Sequence, residues 1–434
     1  MSVDLSASRP CMQNRFLKAL GPGLVLAGTS IGSSHLVQST RAGALFGLTL
    51  VSVVIFANVM KYPAFSFAPL YVSVRGQNLL HSYKKQGSLA MGLYITATLL
   101  MVFTATAGVT MVSSGLLIAL FRLDITAMQG CYWVLGSCLA LTFLGGFKWL
   151  DRVMKASLLL LSIGTLVATC AALPQINFGG NLWPTWSQIA VPKTFLFVVA
   201  LIGWMPAPVD LSVWHSIWSM AKQKETSYAA TVKESKLDFD IGYAGCAILG
   251  VCFVLLGAGV MSQGQSLPTS AIKFSARIID IYAQTLGAWA RPVLGGSAFL
   301  VMFSTTLAIV DGAPRAALAA VDTFRGRNVE SKKPFNRRVL GLLLALIIDV
   351  GAVFILLKYA TSLPKMIDLA TTTGVVTAPL FGVLNHRAVF GFDFPLEKQP
   401  SRLMKMASLA CIVLMALLAF AYGWLRIAVI LGTT

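Results

Sequence analysis

The sequence predicts an all-α polytopic membrane protein of about eleven transmembrane helices, arranged as five-plus-five inverted repeats whose first and sixth helices are broken. Three observations carry this. Of 434 residues, 56% are hydrophobic and only 12% charged, whereas soluble domains are about 25% charged. Apolar runs of about 20 residues, the length that crosses a bilayer, recur along the whole chain. Two of these runs, five spans apart, are interrupted at mid-depth by small polar residues or by prolines. The charge fraction excludes a soluble globular enzyme. The net charge of +18, from 34 Lys and Arg against 16 Asp and Glu, does not mark a nucleic-acid binder, which clusters its cations on a solvated face. Here they lie between apolar runs, and no nucleic-acid partner is expected.

In chain order, residues 1–17 form a polar, basic tail with no small-residue cleavage site after a short apolar stretch, so no removable signal peptide is expected. Apolar segments follow near 18–44, 46–73, 89–121, 129–147, 153–174, 194–220, 241–262, 290–322, 337–358, 365–388 and 403–431. With the N-terminus inside, 23 Lys and Arg fall on the inner side and 9 on the outer, with Lys61 and Arg315 within spans. That bias follows the positive-inside rule. It predicts a multi-pass protein of the plasma (inner) membrane, N-terminus cytoplasmic and C-terminus outside, with the lipid bilayer as its surroundings and no requirement to oligomerise. Seven cysteines form no CxxC pair, and most lie in apolar runs. They read as buried small hydrophobes rather than ligands or disulfides.

The first span contains Gly28-Thr29-Ser30-Ile31-Gly32-Ser33-Ser34-His35, small and polar at membrane depth. The sixth carries Pro206 and Pro208 on either side of Ala207. Each proline removes a backbone donor and pushes its predecessor out of the helical region. Irregular backbone in a bilayer survives only where protein buries it or it lines a wet cavity. An odd repeat of five spans forces an inverted second copy, which divides the chain into repeat 1 at 18–175, repeat 2 at 193–388 and an appended span at 403–431. Broken helices at matching positions of inverted repeats point to a LeuT-like transporter with its site at the midplane. Gly, Ser and Pro used for packing and kinks are the plainer alternative.

At GPGLVLAG, at HLVQSTRAGALFG and at Met205-Pro206 the chain resembles the Nramp family of divalent-metal transporters. The resemblance implies a metal ion held between the two broken helices, by an Asp-Pro-Gly-Asn stretch on the first and a Met-Pro-His stretch on the sixth. It also implies proton coupling through acids on the third span. In this chain Gly32-Ser33-Ser34-His35 stands in place of the first motif, Ala207 in place of the histidine, and the third span has no acid.

Gly32, Ser33, Ser34, His35, Met205, Ala207 and Asp210 are therefore the candidate substrate site. An ionisable group inside a span costs about 2.5–3.5 kcal/mol on insertion scales and usually faces a pathway, which singles out Asp210. Together His35, Met205 and Asp210 offer imidazole, thioether and carboxylate to a divalent metal such as manganese, iron or zinc. The alternative for Asp210 is an N-cap of the resuming half-helix. For Ser33 and Ser34 it is an anion cradle at a half-helix N-terminus, suited to a small carboxylate-bearing solute such as an amino acid or organic acid. Ser304 and Thr305 in the eighth span are candidate ligands of a coupling sodium ion, with ordinary interhelical bonding as the alternative. Asp311 and Arg315 are spaced as an i, i+4 pair, whereas Lys61 and Asp349 have no assignable partner. Trp204, Trp214, Trp218 and the Thr371–Gly374 run read as packing. No nucleotide-binding loop or hydrolase motif occurs. The expectation is an ion-coupled secondary transporter without a cofactor, not an enzyme, carrying a divalent metal or a small carboxylate, with sodium or protons as coupling ion. A non-transporting membrane sensor is the third reading.

Overall fold

The computed structural model describes residues 19–144, 147–260, 268–324, 334–359, 361–391 and 393–431, with side chains except at 147–154, 334–337 and 430. The tail expected over 1–17 lies outside the described residues. The first span is two half-helices, α1 (Pro22–Ser30) and α2 (Thr40–Phe46), joined through a π-turn at Ser34–Ser39. The second span is α3 (Val51–Arg75), followed by the short α4 (Leu79–Lys85). The third, fourth and fifth are α5 (Ser88–Phe121), α6 (Ala127–Leu144) and α7 (Phe147–Ala172). After the one-turn α8 (Trp186–Ile189), the sixth span is again split, into α9 (Pro192–Trp204) and α10 (Leu211–Thr226). The rest are α11 (Val232–Val260), α12 (Ala271–Leu286), α13 (Ala290–Phe324), α14 (Pro334–Tyr359), α15 (Leu363–Phe390) and α16 (Arg402–Leu431). Among the described residues, nine of these helices are long and apolar enough to cross a membrane. The two split spans complete the eleven.

Two elements depart from the hydropathy reading. The seventh span begins at Val232 rather than 241, because its polar first turns form a helix start of their own. Thr231 N–H donates to Glu234 at 2.8 Å, and Glu234 N–H returns to the Thr231 hydroxyl at 3.3 Å, a reciprocal cap. The connection before the eighth span contains α12, which hydropathy alone misses because nearly half its residues are polar. Phe274, Ile278 and Tyr282 are buried on one face, spaced at four residues as an amphipathic helix requires.

The first span is locked to the seventh through glycines. A Cβ at Gly43 would lie 1.9 Å from Val254 O, one at Gly257 2.2 Å from Thr40 O, and one at Gly242 2.1 Å from Gly23 O. Such backbone-to-backbone approach is open only to glycine, and in lipid it supplies the packing that hydrophobicity cannot. At the start of α1 the Asp238 carboxylate accepts from the N–H groups of Gly21 (2.9 Å) and Gly23 (2.6 Å), satisfying donors that a helix N-terminus leaves open. The eleventh span sits at the periphery, with Leu403, Phe420 and Trp424 largely exposed.

Candidate functional site

The first break is closed by its own side chains. Where α1 ends, the Ser30 carbonyl accepts from Gly32 N–H at 2.8 Å and from the Ser34 hydroxyl at 2.7 Å. Gly32 O accepts from Leu36 N–H at 2.9 Å and His35 N–H at 3.1 Å. The His35 ring, fully buried, has Nδ1 2.8 Å from Ser34 Oγ and 3.0 Å from Ser30 O, while Nε2 lies 2.9 Å from Cys246 O on α11. Both ring nitrogens thus have protein partners.

The sixth break is closed by donors from elsewhere. Met205 N–H makes the last helical bond of α9, to Leu201 O at 2.9 Å, and the Met205–Pro206 peptide is cis. Beyond it, Pro206 O accepts from Ser34 Oγ at 3.3 Å. Gly203 O and Ala207 O accept from Lys61 Nζ at 2.6 and 3.1 Å. Asp210 stands at the N-cap position of α10, yet its side chain makes no capping bond.

Between the two breaks lies a cavity of about 70 Å³. Ser33, Ser34, Ala207 and Asp210 line it, with Thr305 from α13 and an apolar wall of Met101, Val102, Ala105 and Val109 from the third span. Asp210 is its one charged residue among those described. Gly32 lies behind this wall against the eighth span: a Cβ there would be 3.3 Å from Thr305 Oγ1. The structure does not bring His35 and Met205 to the cavity. Both face α11, where a Cβ at Gly250 would meet Met205 Sδ at 3.3 Å and His35 Cδ2 at 3.7 Å. The imidazole, thioether and carboxylate therefore do not converge on one point in this arrangement, and no group of three or more His, Cys, Asp or Glu able to hold a metal occurs among the described residues. Thr305 Oγ1 and Ser304 Oγ donate to Val301 O within their own helix, at 3.0 and 2.8 Å. Ser304 faces a different space.

That space is a larger cavity of about 570 Å³ on the side where the first span begins, walled by α1, α7, α10 and α13. Thr29 and Trp214 belong to both cavities and form the partition. Trp214 packs on Gly312 and makes an edge contact with Trp218 at 6.1 Å. Arg315 and Asp311, paired through two 2.8 Å bonds, also line this larger cavity. Toward the other end of the first span, a charged cluster ties α2 to α15 and α9. Arg41 donates to Gln38 Oε1 at 2.8 Å, lies 3.8 Å from Asp368 on α15 and stacks over Phe197 of α9 at 5.3 Å. Sequence reasoning missed Thr29, Ser30, Trp204, Trp214 and Lys61. The first two lie in the same small polar run as Ser33, and Lys61 was visible as a buried charge without a partner.

Two interrupted helices around a buried cavity with one carboxylate, among eleven spans in this order, define the LeuT-like fold. Within that fold class the chain is similar to Nramp proteins, from which it differs in lacking a first-helix Asp-Pro-Gly-Asn stretch. No protein-family model matches it. It is 29% identical over 420 residues to an uncharacterised protein of Pasteurella multocida (strain Pm70), covering 94% of this chain and 93% of that one. To the divalent metal cation transporter MntH of Xylella fastidiosa (strain Temecula1) it is 22% identical over 348 residues, covering 78% and 71%. The fold matches the crystal structure of the Eremococcus coleocola manganese transporter with a TM-score of 0.70 at 16% identity, covering 96% of this chain and 90% of that one. It matches MhsT in complex with L-phenylalanine with a TM-score of 0.63 at 13% identity, covering 93% and 98%.

Proposed function

We propose that this chain is a secondary-active carrier that takes a small divalent metal cation into the cell by alternating access, with the cation held between the two broken spans. The observation that carries this is the cavity wall: one carboxylate, Asp210, with the hydroxyls of Ser33, Ser34 and Thr305 and no basic side chain among the described residues. Its volume of about 70 Å³ holds a few water-sized centres, at roughly 10–15 Å³ each, which suits a partly hydrated ion. Its polar side chains present oxygen or the two tryptophan N–H groups, the Met205 thioether and the His35 imidazole face elsewhere, and the Met101 thioether in the wall already accepts from Thr377 Oγ1 at 3.0 Å. An oxygen donor set selects hard cations, manganese or magnesium rather than zinc. The likeness to MntH and to a manganese transporter supports the same class of cargo.

A carboxylate-bearing solute is served less well, because Asp210 repels it and the N–H groups of Gly32, His35 and Leu36 are already bonded. We read 18–175 and 193–388 as the inverted halves. Read with the positive-inside bias, the 570 Å³ vestibule opens on the cytoplasmic side of the inner membrane, and the Arg41–Asp368 pair lies toward the outer side. In this reading Thr29 and Trp214 separate the cargo from its cytoplasmic exit. Uptake of manganese and magnesium into proteoliposomes, each under an imposed sodium or proton gradient, tests the proposal. Saturable uptake that Asp210→Asn abolishes is expected. Accumulation of a carboxylate with neither metal transported nor competing would overturn it.

A further inference from the structure

Lys61 is wholly buried in the middle of the second span, and among the described residues no carboxylate lies within ion-pair distance of it. Its two acceptors are carbonyls, Gly203 O at 2.6 Å and Ala207 O at 3.1 Å. Those residues are i and i+4, which a continuous helix would join by an N–H of one to the carbonyl of the other. The break in the sixth span removes that bond. It also frees the Ala207 carbonyl, because the donor that would serve it, Leu211 N–H, bonds Pro208 O at 3.2 Å instead. Two orphaned carbonyls converging on one point inside a bilayer form a monovalent-cation site in miniature, since carbonyl oxygens replace an ion's hydration shell. The ammonium of Lys61 fills it from an adjacent span, supplying both the hydrogen bonds and the charge.

We propose that Lys61 is a tethered cation: it occupies, in the sixth-span break, the place an inorganic monovalent cation would otherwise take, and it positions α9 against α10 so that Asp210 faces the cargo. Lys61 is thus a positioning residue, and the sixth break needs neither sodium nor potassium to hold its shape. The inference deepens the transport reading by assigning one end of the site to a built-in charge, but it is tested by stability and does not depend on what is carried. The replacement also has room to be reversed. A pocket of about 10 Å³ already adjoins Lys61 beside Gly203 and Met415, and truncating the side chain would enlarge it enough for a small amine.

The test uses the purified full chain in detergent, with thermal unfolding followed at constant ionic strength in sodium, potassium or N-methylglucamine chloride. The wild type and Lys61→Arg are expected to melt at the same temperature in all three salts. Lys61→Ala is expected to melt about 5 °C lower or more in N-methylglucamine, and to recover at least half of that loss with ammonium or n-propylammonium but not with n-propanol. Equal recovery with the alcohol would reduce Lys61 to packing and overturn the proposal. Where the alanine variant does not fold, Lys61→Met keeps the volume and removes the charge: a melting temperature equal to wild type in N-methylglucamine overturns the proposal, and a deficit relieved by sodium or ammonium supports it. Failure of the wild type to take up manganese in liposomes would sink the metal reading and leave the rescue result unchanged.

Discussion

The first and sixth spans break at comparable depth, yet they repair the damage in different ways. The first is self-sufficient: the Ser34 hydroxyl and Gly32 N–H, within the break, serve the Ser30 carbonyl, and glycine contacts bind both halves to α11. The sixth borrows. Lys61 from the second span donates to two of its carbonyls and the Ser34 hydroxyl of the first lies 3.3 Å from a third, and its own side chains supply none of those. A break that closes itself can travel as one body with the helix it is locked to. A break closed from outside is a joint between bodies, and its geometry reports on its neighbours. In a carrier that works by rocking one group of helices against another, the sixth break is where cargo and conformation are coupled.

The most severe way to disturb this contrast is to pry the first span off its rail. Gly43→Ala puts a methyl group 1.9 Å from Val254 O, backbone that cannot yield as a flexible side chain would. The expected cost is about 3 kcal/mol or more, at the upper end of overpacking effects, and size-exclusion profiles should show little folded monodisperse protein. A variant of normal yield and melting temperature would show that the first span is not locked as described. Next in size is Asp210→Asn. With no capping bond to lose, the helix should persist and the melting temperature stay within about 2 °C, while manganese uptake falls by roughly 100-fold or more, as expected for losing the charge that pairs with a desolvated cation. Equal loss of folding and uptake would mean that Asp210 is structural after all.

How much of this the sequence displays follows from the physics at each place. Span number, both breaks and a carboxylate beside the second of them are legible, because hydropathy, small residues, prolines and an intramembrane carboxylate are local signals. The direction in which His35 points is not. It follows the π-turn at Ser34–Ser39, which adds a residue to one turn and rotates the face that a 3.6-residue count assigns. Met205 is displaced for a related reason: it caps α9 with extended backbone, so periodicity does not predict its direction. The role of Lys61 required knowing which carbonyls the sixth break orphans and which span lies beside them. α12 and the start of α11 escaped because their helicity rests on caps and one buried face rather than on mean hydropathy.

A moderate effect separates the two candidate ligands from Asp210. Because the His35 ring is held between Ser34 and Cys246 and does not line the cavity, His35→Ala should lower stability by about 1–3 kcal/mol, the cost of leaving buried acceptors unpaired. Its effect on manganese affinity, measured by calorimetry on the folded fraction, should stay within about threefold. Met205→Leu, a volume-conserving swap against Gly250, should cost less than about 1.5 kcal/mol and likewise leave affinity almost unchanged. An affinity loss above about 30-fold in either variant, with folding intact, would restore imidazole or thioether to the cation's ligands and weaken the case for an all-oxygen site.

The smallest expected effect concerns a charge outside both breaks. Asp349 on α14 is buried, and neither carboxylate oxygen has a hydrogen-bond partner. An ionised carboxylate without donors is expensive to keep out of water, so the group contributes nothing to stability that an amide of the same shape would lose. Asp349→Asn should therefore leave the melting temperature unchanged or raise it by about 2 °C, and manganese uptake should stay within about twofold of wild type. The variant is a control on the whole contrast: a buried charge matters here only where a broken helix gives it carbonyls to satisfy or cargo to hold. A tenfold loss of uptake in Asp349→Asn, with folding intact, would place a second ionisable site in the scaffold between the third, fourth and ninth spans, and coupling would then no longer be confined to the joint at the sixth span.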